Sequence, residues 1–324
     1  MEVSVFAPFA SPVILFFLLG LLASALRSDL AIPEAIAKGM SLYLMAAIGL
    51  KGGVAVAKSG VDAEVAAALL AGLTLSFTIP IIAYGGLRTF AKLDQVNAGA
   101  VAAHYGSVSV VTFVTANELL GATGLAVAGF MVAVLAVMET PAILSGLMLA
   151  RRGSSNSDQS KAELLREVFL NASVVLLLGS FSIGLIAGPK GYAEVQPLFE
   201  SGFKGVLCLF LLDMGLIAAR RLIDARALNL RLASLAIAFP LFNGTLGVIV
   251  GNLIGLDTAT AAALGVLCAS ASYIAVPAAM RLALPQADPG IYLTMSLSIT
   301  FPFNILVGIS LFGELSRWFS ATLG

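Results

Sequence analysis

Two short polar stretches hold the residues that could do chemistry in this chain. The first is HYGSVS, His104–Ser109, in the middle of an apolar run from Asn97 to Leu120. That run is long enough to cross a bilayer, yet it puts His104, Tyr105, Ser107 and Ser109 around Gly106 at membrane depth. A polar, glycine-containing break is tolerated there only where it is buried in protein or lines a wet cavity. The second is CASASY, Cys268–Tyr273, inside the apolar run Thr258–Leu284, with Ser270, Ser272 and Tyr273 at its middle and Pro277 just after. Interrupted segments at matching places in two halves of a membrane chain point to the binding site of a secondary transporter.

The chemistry follows from what a break exposes. The half-helix beyond it starts with unpaired N–H groups and the positive end of its dipole, and two such ends facing each other suit a small anion. Gly106 would let backbone approach the ligand, and Ser107 and Ser270 offer hydroxyls. Carbonyls freed at the breaks suit sodium, which takes oxygen ligands. Helix packing is the competing reading of the same small residues. Glu139, in AVMETPAIL, is an intramembrane carboxylate, a costly and usually functional feature. Pro141 leaves the Val137 carbonyl without its helical donor. Asp213, in CLFLLDMGLI, is the other acid in an apolar run, with coupling or ion pairing as its two readings. Thr300 and Asn304 flank Pro302 and offer neutral oxygens in the second half. His104 is the single histidine, and Cys208 and Cys268 lie in apolar segments, so these residues make no metal centre. His104 beside Ser107 lacks a third group and a nucleophile-elbow context, so a hydrogen-bonded histidine is the plainer reading.

The elements that must position these groups are membrane helices. The 324 residues are 59% hydrophobic and 11% charged, against roughly 45–50% and 25% in soluble domains. Nearly every charge falls between apolar runs, and the zero net charge invites no nucleic acid. Ten segments are expected, at about 4–26, 31–50, 63–87, 97–119, 122–150, 165–187, 198–219, 229–253, 258–284 and 289–316. The first reads as a retained helix, because no basic residue precedes it and no cleavage pattern follows. The connector at 152–164 divides the chain into repeats at 1–151 and 165–324. METPAIL after the first break is answered by ITFPFNIL after the second, and IGLKGGVA loosely by LDMGLIAA. Five spans per half is odd, so the second half enters from the opposite side. The fold class expected is all-α, ten transmembrane helices in two inverted five-helix repeats with helices broken at the midplane. Basic residues cluster at Arg88 and Lys92, Arg151 and Arg152, Arg220 and Arg221, and Arg281, leaving Lys51, Lys58, Lys190 and Arg317 for the other face. The odd-numbered loops are thus read as cytoplasmic, with both termini outside.

The chain resembles the sodium-dependent bicarbonate transporters first recognised in cyanobacteria. The likeness spans essentially the whole length and is carried by IPEAI, IGLKGG, YGSVS, METPAIL, SASYIAVPAAMR, LPQADPGIY and ITFPFN, in that order. It implies a bacterial cytoplasmic-membrane symporter that imports bicarbonate with sodium as coupling ion, without a cofactor. It also implies a mobile core moving against a scaffold, and a homotrimer. In the family, substrate and sodium lie at the two helix breaks. Carried onto this chain, the anion set is Tyr105, Gly106, Ser107, Ser270, Ala271 and Ser272. The sodium set is Ser107, Ser109, Glu139, Ser270, Thr300 and Asn304, with Asp213 as a further coupling group. A PII-like regulator enters as a candidate partner, although the central loop that would receive it is much shorter here. The cyanobacterial members place serine and threonine where this chain has Tyr105 and Val108, and aspartates where it has Glu139 and Tyr273.

Three other readings compete. A carrier of another small monovalent anion or an organic acid is distinguished by competition between bicarbonate and short carboxylates. A hydrolase using His104 and Ser107 would lose an activity in Ser107→Ala with transport intact. A structural or sensory protein leaves two matched polar breaks without a compensating gain.

Overall fold

The computed structural model describes residues 10–60, 62–151, 170, 172–223 and 228–323. Among these residues every regular element is helical and there is no strand. In chain order the helices are α1 (Pro12–Ala25), α2 (Glu34–Ser59), α3 (Ala63–Thr89), α4 (Gln95–Gly106), α5 (Val110–Ala122) and α6 (Met131–Ala150). They continue as α7 (Ala172–Gln196), α8 (Phe203–Ile223), α9 (Leu230–Leu253), α10 (Thr258–Ala269) and α11 (Ala275–Ala283). The last, α12 (Pro289–Thr322), is one long rod with widened π turns at Thr294–Thr300 and Asn304–Gly308. Seven spans among the described residues are long and apolar enough to cross a membrane, with α4 and α5 together forming one of them. The connector at 152–164 lies outside the described residues.

Many of the polar residues between apolar runs are helix caps. Asp62, Asp94, Asn229, Asp257 and Asp288 each accept an N–H from the first turn of α3, α4, α9, α10 and α12. Such caps satisfy donors that a helix start would otherwise leave orphaned. The boundaries differ from the sequence reading in several places; α7, read as ending near 187, kinks at Gly188 (φ 59°) and continues to Gln196. Lys51 does not end α2, because its ammonium rests over the Phe203 ring, 5.0 Å from the centroid, while the helix runs on to Ser59. Nor does α6 start near residue 122. Leu120 caps the end of α5 with its carbonyl, Gly124 turns the chain at φ 80°, and helix resumes only at Met131.

The helices sort into two contacting groups. In one, α1 lies along α8 and α2 along α7. Glycines let these backbones touch: a side chain on Gly20 would strike Leu212 and Leu216 of α8, and one on Gly53 would strike Phe181 of α7. Small residues at such crossings are how membrane helices gain van der Waals contact where lipid offers no hydrophobic drive. In the other group, α3, α4 and α6 pack together, α9 lies along α10, and α12 crosses both α9 and α10. The groups meet where α8 lies against the first π turn of α12 and where α2 and α7 touch α6. Lys204 of α8 also pairs with Glu118 of α5 at 3.6 Å.

Candidate ion-binding site

Both expected breaks are present, and they cross. α4 ends at Gly106, and Ser107 takes an extended backbone at φ −86°, ψ 144°. Ser109 then caps α5, its hydroxyl accepting the Thr112 N–H at 3.2 Å. α10 ends at Ala269, Ser270 is extended at φ −78°, ψ 159°, and helix resumes at Ala275. At the crossing, the Ser109 N–H donates to Ser270 Oγ at 2.9 Å, and Ser270 Oγ donates to the Leu267 carbonyl at 2.8 Å. The Ser272 N–H donates to the His104 carbonyl at 2.8 Å and reaches the Ser107 carbonyl at 3.2 Å. Backbone groups freed by one break are thus satisfied by the other, which is what makes irregular chain affordable at this depth.

A small cavity of about 10 Å³ lies against this crossing. Its wall includes Ser109 and Val110 at the start of α5, and Ser272, Tyr273 and Ala275 at the start of α11. Glu139 of α6 completes it, 2% exposed, with Oε2 lacking any hydrogen-bond partner. The α6 backbone is loosened here by Pro141, and Ser76 of α3 donates its hydroxyl to the neighbouring Met138 carbonyl. A space of this size holds one water-sized particle. Two helix N-termini and one carboxylate therefore face a site for one small occupant, with attraction for both signs of charge.

The other expected residues are placed as follows. Ser107 is fully buried, and its hydroxyl has no partner. Asn304 donates Nδ2 to the Ala269 carbonyl at 2.9 Å, leaving Oδ1 unpartnered beside the end of α10. Thr300 donates to the Ala236 carbonyl at 2.6 Å and pairs with the Tyr105 hydroxyl at 2.7 Å, so these two side chains tie α4, α9 and α12 together. Ala271 is buried at the second break between Ser270 and Ser272. Asp213 is buried on α8, away from the cavity wall, with Oδ2 unpartnered and Arg220 the charge acting on it. His104 bonds the Ala100 carbonyl through Nδ1 at 2.7 Å and stacks on Tyr292; no hydrogen bond joins it to Ser107.

Gly106 is also a packing position. It is helical, and the space beside its Cα is filled by the Pro80 ring of α3 and by Ala142 of α6. Gly106→Val is therefore expected to lower the yield of folded protein, overpacking costing about 1–3 kcal/mol. Size-exclusion recovery and a thermal midpoint measure this directly. Sequence reasoning missed Met45 of α2 in the cavity wall, and Asn243 of α9, fully buried with both amide atoms unpartnered. Asn243 had a signal, being an amide in the middle of an apolar segment; Met45 had none.

The family described as the Na+-dependent bicarbonate transporter superfamily matches residues 12–317. The chain belongs to this superfamily. No curated protein matches the chain. Membership accounts for an all-helical protein with several helices long and apolar enough to cross a membrane.

Proposed function

We propose that this superfamily member is a sodium-coupled symporter that imports bicarbonate by alternating access. The observation that carries the reading is the cavity where the free Glu139 oxygen meets the first turns of α5 and α11. Glu139 and Ser109 suit a dehydrated sodium ion, while the two helix starts and the free Ser107 hydroxyl suit an oxyanion. The cavity as it stands takes one small occupant; a movement that widens it would admit the second. Sodium and bicarbonate together keep the cargo neutral, each lowering the cost of burying the other.

Movement follows from the two helix groups. Met45 is the one wall residue of that cavity from the α1, α2, α7, α8 group, and the remaining wall belongs to the other group. Sliding one group past the other would withdraw Met45 and uncover the cavity, as in an elevator. The order of elements supports two inverted repeats at 1–151 and 165–324: in each half, three helices precede a broken pair and a proline-bearing helix follows.

Radiolabelled bicarbonate uptake into proteoliposomes tests this. A sodium gradient is expected to drive accumulation that short carboxylates do not inhibit. Competition by such acids would instead make the chain a sodium-coupled carrier of organic anions, and uptake indifferent to sodium would overturn the coupling. Orientation in a bacterial cytoplasmic membrane has its own test. Cysteine placed at Ala126, between α5 and α6, should react with an impermeant thiol reagent on intact cells, and cysteine at Gln286 should not. Reaction at Gln286 alone would invert the topology.

A further inference from the structure

The Tyr273 hydroxyl lies in the wall of the central cavity, and the crossing of the breaks leaves it unsatisfied. Tyr273 is 8% exposed, and its hydroxyl, turned toward the Ser109 side chain, completes no hydrogen bond among the described residues. The Ser109 oxygen already accepts the Thr112 N–H at 3.2 Å. Packing holds the ring in place. It meets Phe301 of α12 edge-on, with centroids 5.1 Å apart at 63°, and Phe301 packs in turn on Phe17 of α1 at 5.5 Å. The helix that follows, α11, starts beside the same cavity with Ile274 at its cap position and no capping side chain. The Ser272 hydroxyl lies 3.5 Å from the Val276 N–H, a long contact.

A buried hydroxyl without a partner is costly, and an occupant of the cavity would supply one. A phenol O–H beside an uncapped helix start offers two kinds of donor to one oxyanion. The charges point the same way. Glu139 is the one charged residue among those lining the cavity. A helix start carries about half a positive charge, so the starts of α5 and α11 together offset about one anion. Glu139 is left to offset one sodium, and Tyr273 adds a donor without adding charge. We propose that Tyr273 is an anion ligand, donating its hydroxyl to the transported oxyanion, and that its neutrality limits the site to one sodium per anion. This assignment rests on the symport reading and adds to it the ligand and the stoichiometry.

Two measurements test it. The first is calorimetric titration of the purified full chain with bicarbonate at saturating sodium, beside titration with sodium chloride alone. Tyr273→Phe keeps the ring and its packing on Phe301. It should weaken bicarbonate binding about ten- to a hundredfold, one hydrogen bond to a charged group, while sodium alone binds with wild-type affinity. Unchanged bicarbonate affinity in Tyr273→Phe, or a loss confined to sodium, overturns the ligand role and leaves the symport reading standing. No bicarbonate binding by wild type in sodium overturns both. The second is the ratio of labelled sodium to labelled bicarbonate in initial uptake by proteoliposomes, expected to be about one in wild type from the charge balance. Tyr273→Asp places a second carboxylate in the wall and should raise that ratio toward about two. A folded Tyr273→Asp with the wild-type ratio, or a wild type that already takes up twice as much sodium as bicarbonate, overturns the sodium limit. The wild-type ratio decides alone if the second buried acid keeps Tyr273→Asp from folding.

Discussion

Glu139→Gln is expected to fold and insert as wild type does while its sodium activation curve flattens. The carboxylate is buried on α6, one of its oxygens has no partner, and no lysine or arginine lines the cavity it faces. A buried charge without a partner costs several kcal/mol even after relaxation, so a purely structural Glu139 would be a liability that glutamine relieves. Glutamine keeps the volume and one acceptor but removes the charge, so stability should hold or rise. Sodium should suffer, since a hydrogen bond or ligand bond to a charged group is worth about 1.5–3 kcal/mol, or roughly ten- to a hundredfold in affinity. Bicarbonate uptake against sodium concentration, beside a thermal midpoint, separates the two effects. An unchanged sodium half-saturation would make Glu139 structural and pass the coupling role to Asp213.

What the sequence made legible was where polar groups interrupt apolar runs. HYGSVS and CASASY stand out because a polar break at membrane depth needs a compensating partner, and the structure supplies it by crossing the two. Glu139 stood out for the same reason. Which group satisfies which was not legible, because spacing along a helix says nothing about a partner on another. Thr300 looked like a free oxygen and proves to be held between Ala236 and Tyr105. Gly106 stood out as a place where backbone could approach a ligand, whereas its packing against Pro80 of α3 had no sequence signal linking that residue to the break. Helix ends were blurred where a turn such as Leu120–Gly124 is made of residues that also suit a helix, and where Lys51 finds an aromatic face within the bundle.

The two serines at the breaks should separate in the same assay, because their hydroxyls are in different states. Ser270 is committed twice, donating to the Leu267 carbonyl and accepting the Ser109 N–H. Ser270→Ala leaves the Ser109 N–H buried without an acceptor, at a cost of about 1–3 kcal/mol. It also loosens the join between the breaks, so the thermal midpoint should fall and transport fall with it. Ser107 is equally buried, but its hydroxyl bonds to nothing among the described residues. Removing it abandons no partner, so Ser107→Ala should be neutral or slightly stabilising. If that hydroxyl serves the bound ion or anion, the half-saturation for bicarbonate or sodium should rise about ten- to a hundredfold, one hydrogen bond to a charged group. Uptake normalised to folded protein, measured with a midpoint for each variant, reads both axes. A stable Ser107→Ala with wild-type half-saturation for both solutes would remove Ser107 from the site, and a Ser270→Ala with an unchanged midpoint would show that the crossing of the breaks does not depend on its hydroxyl.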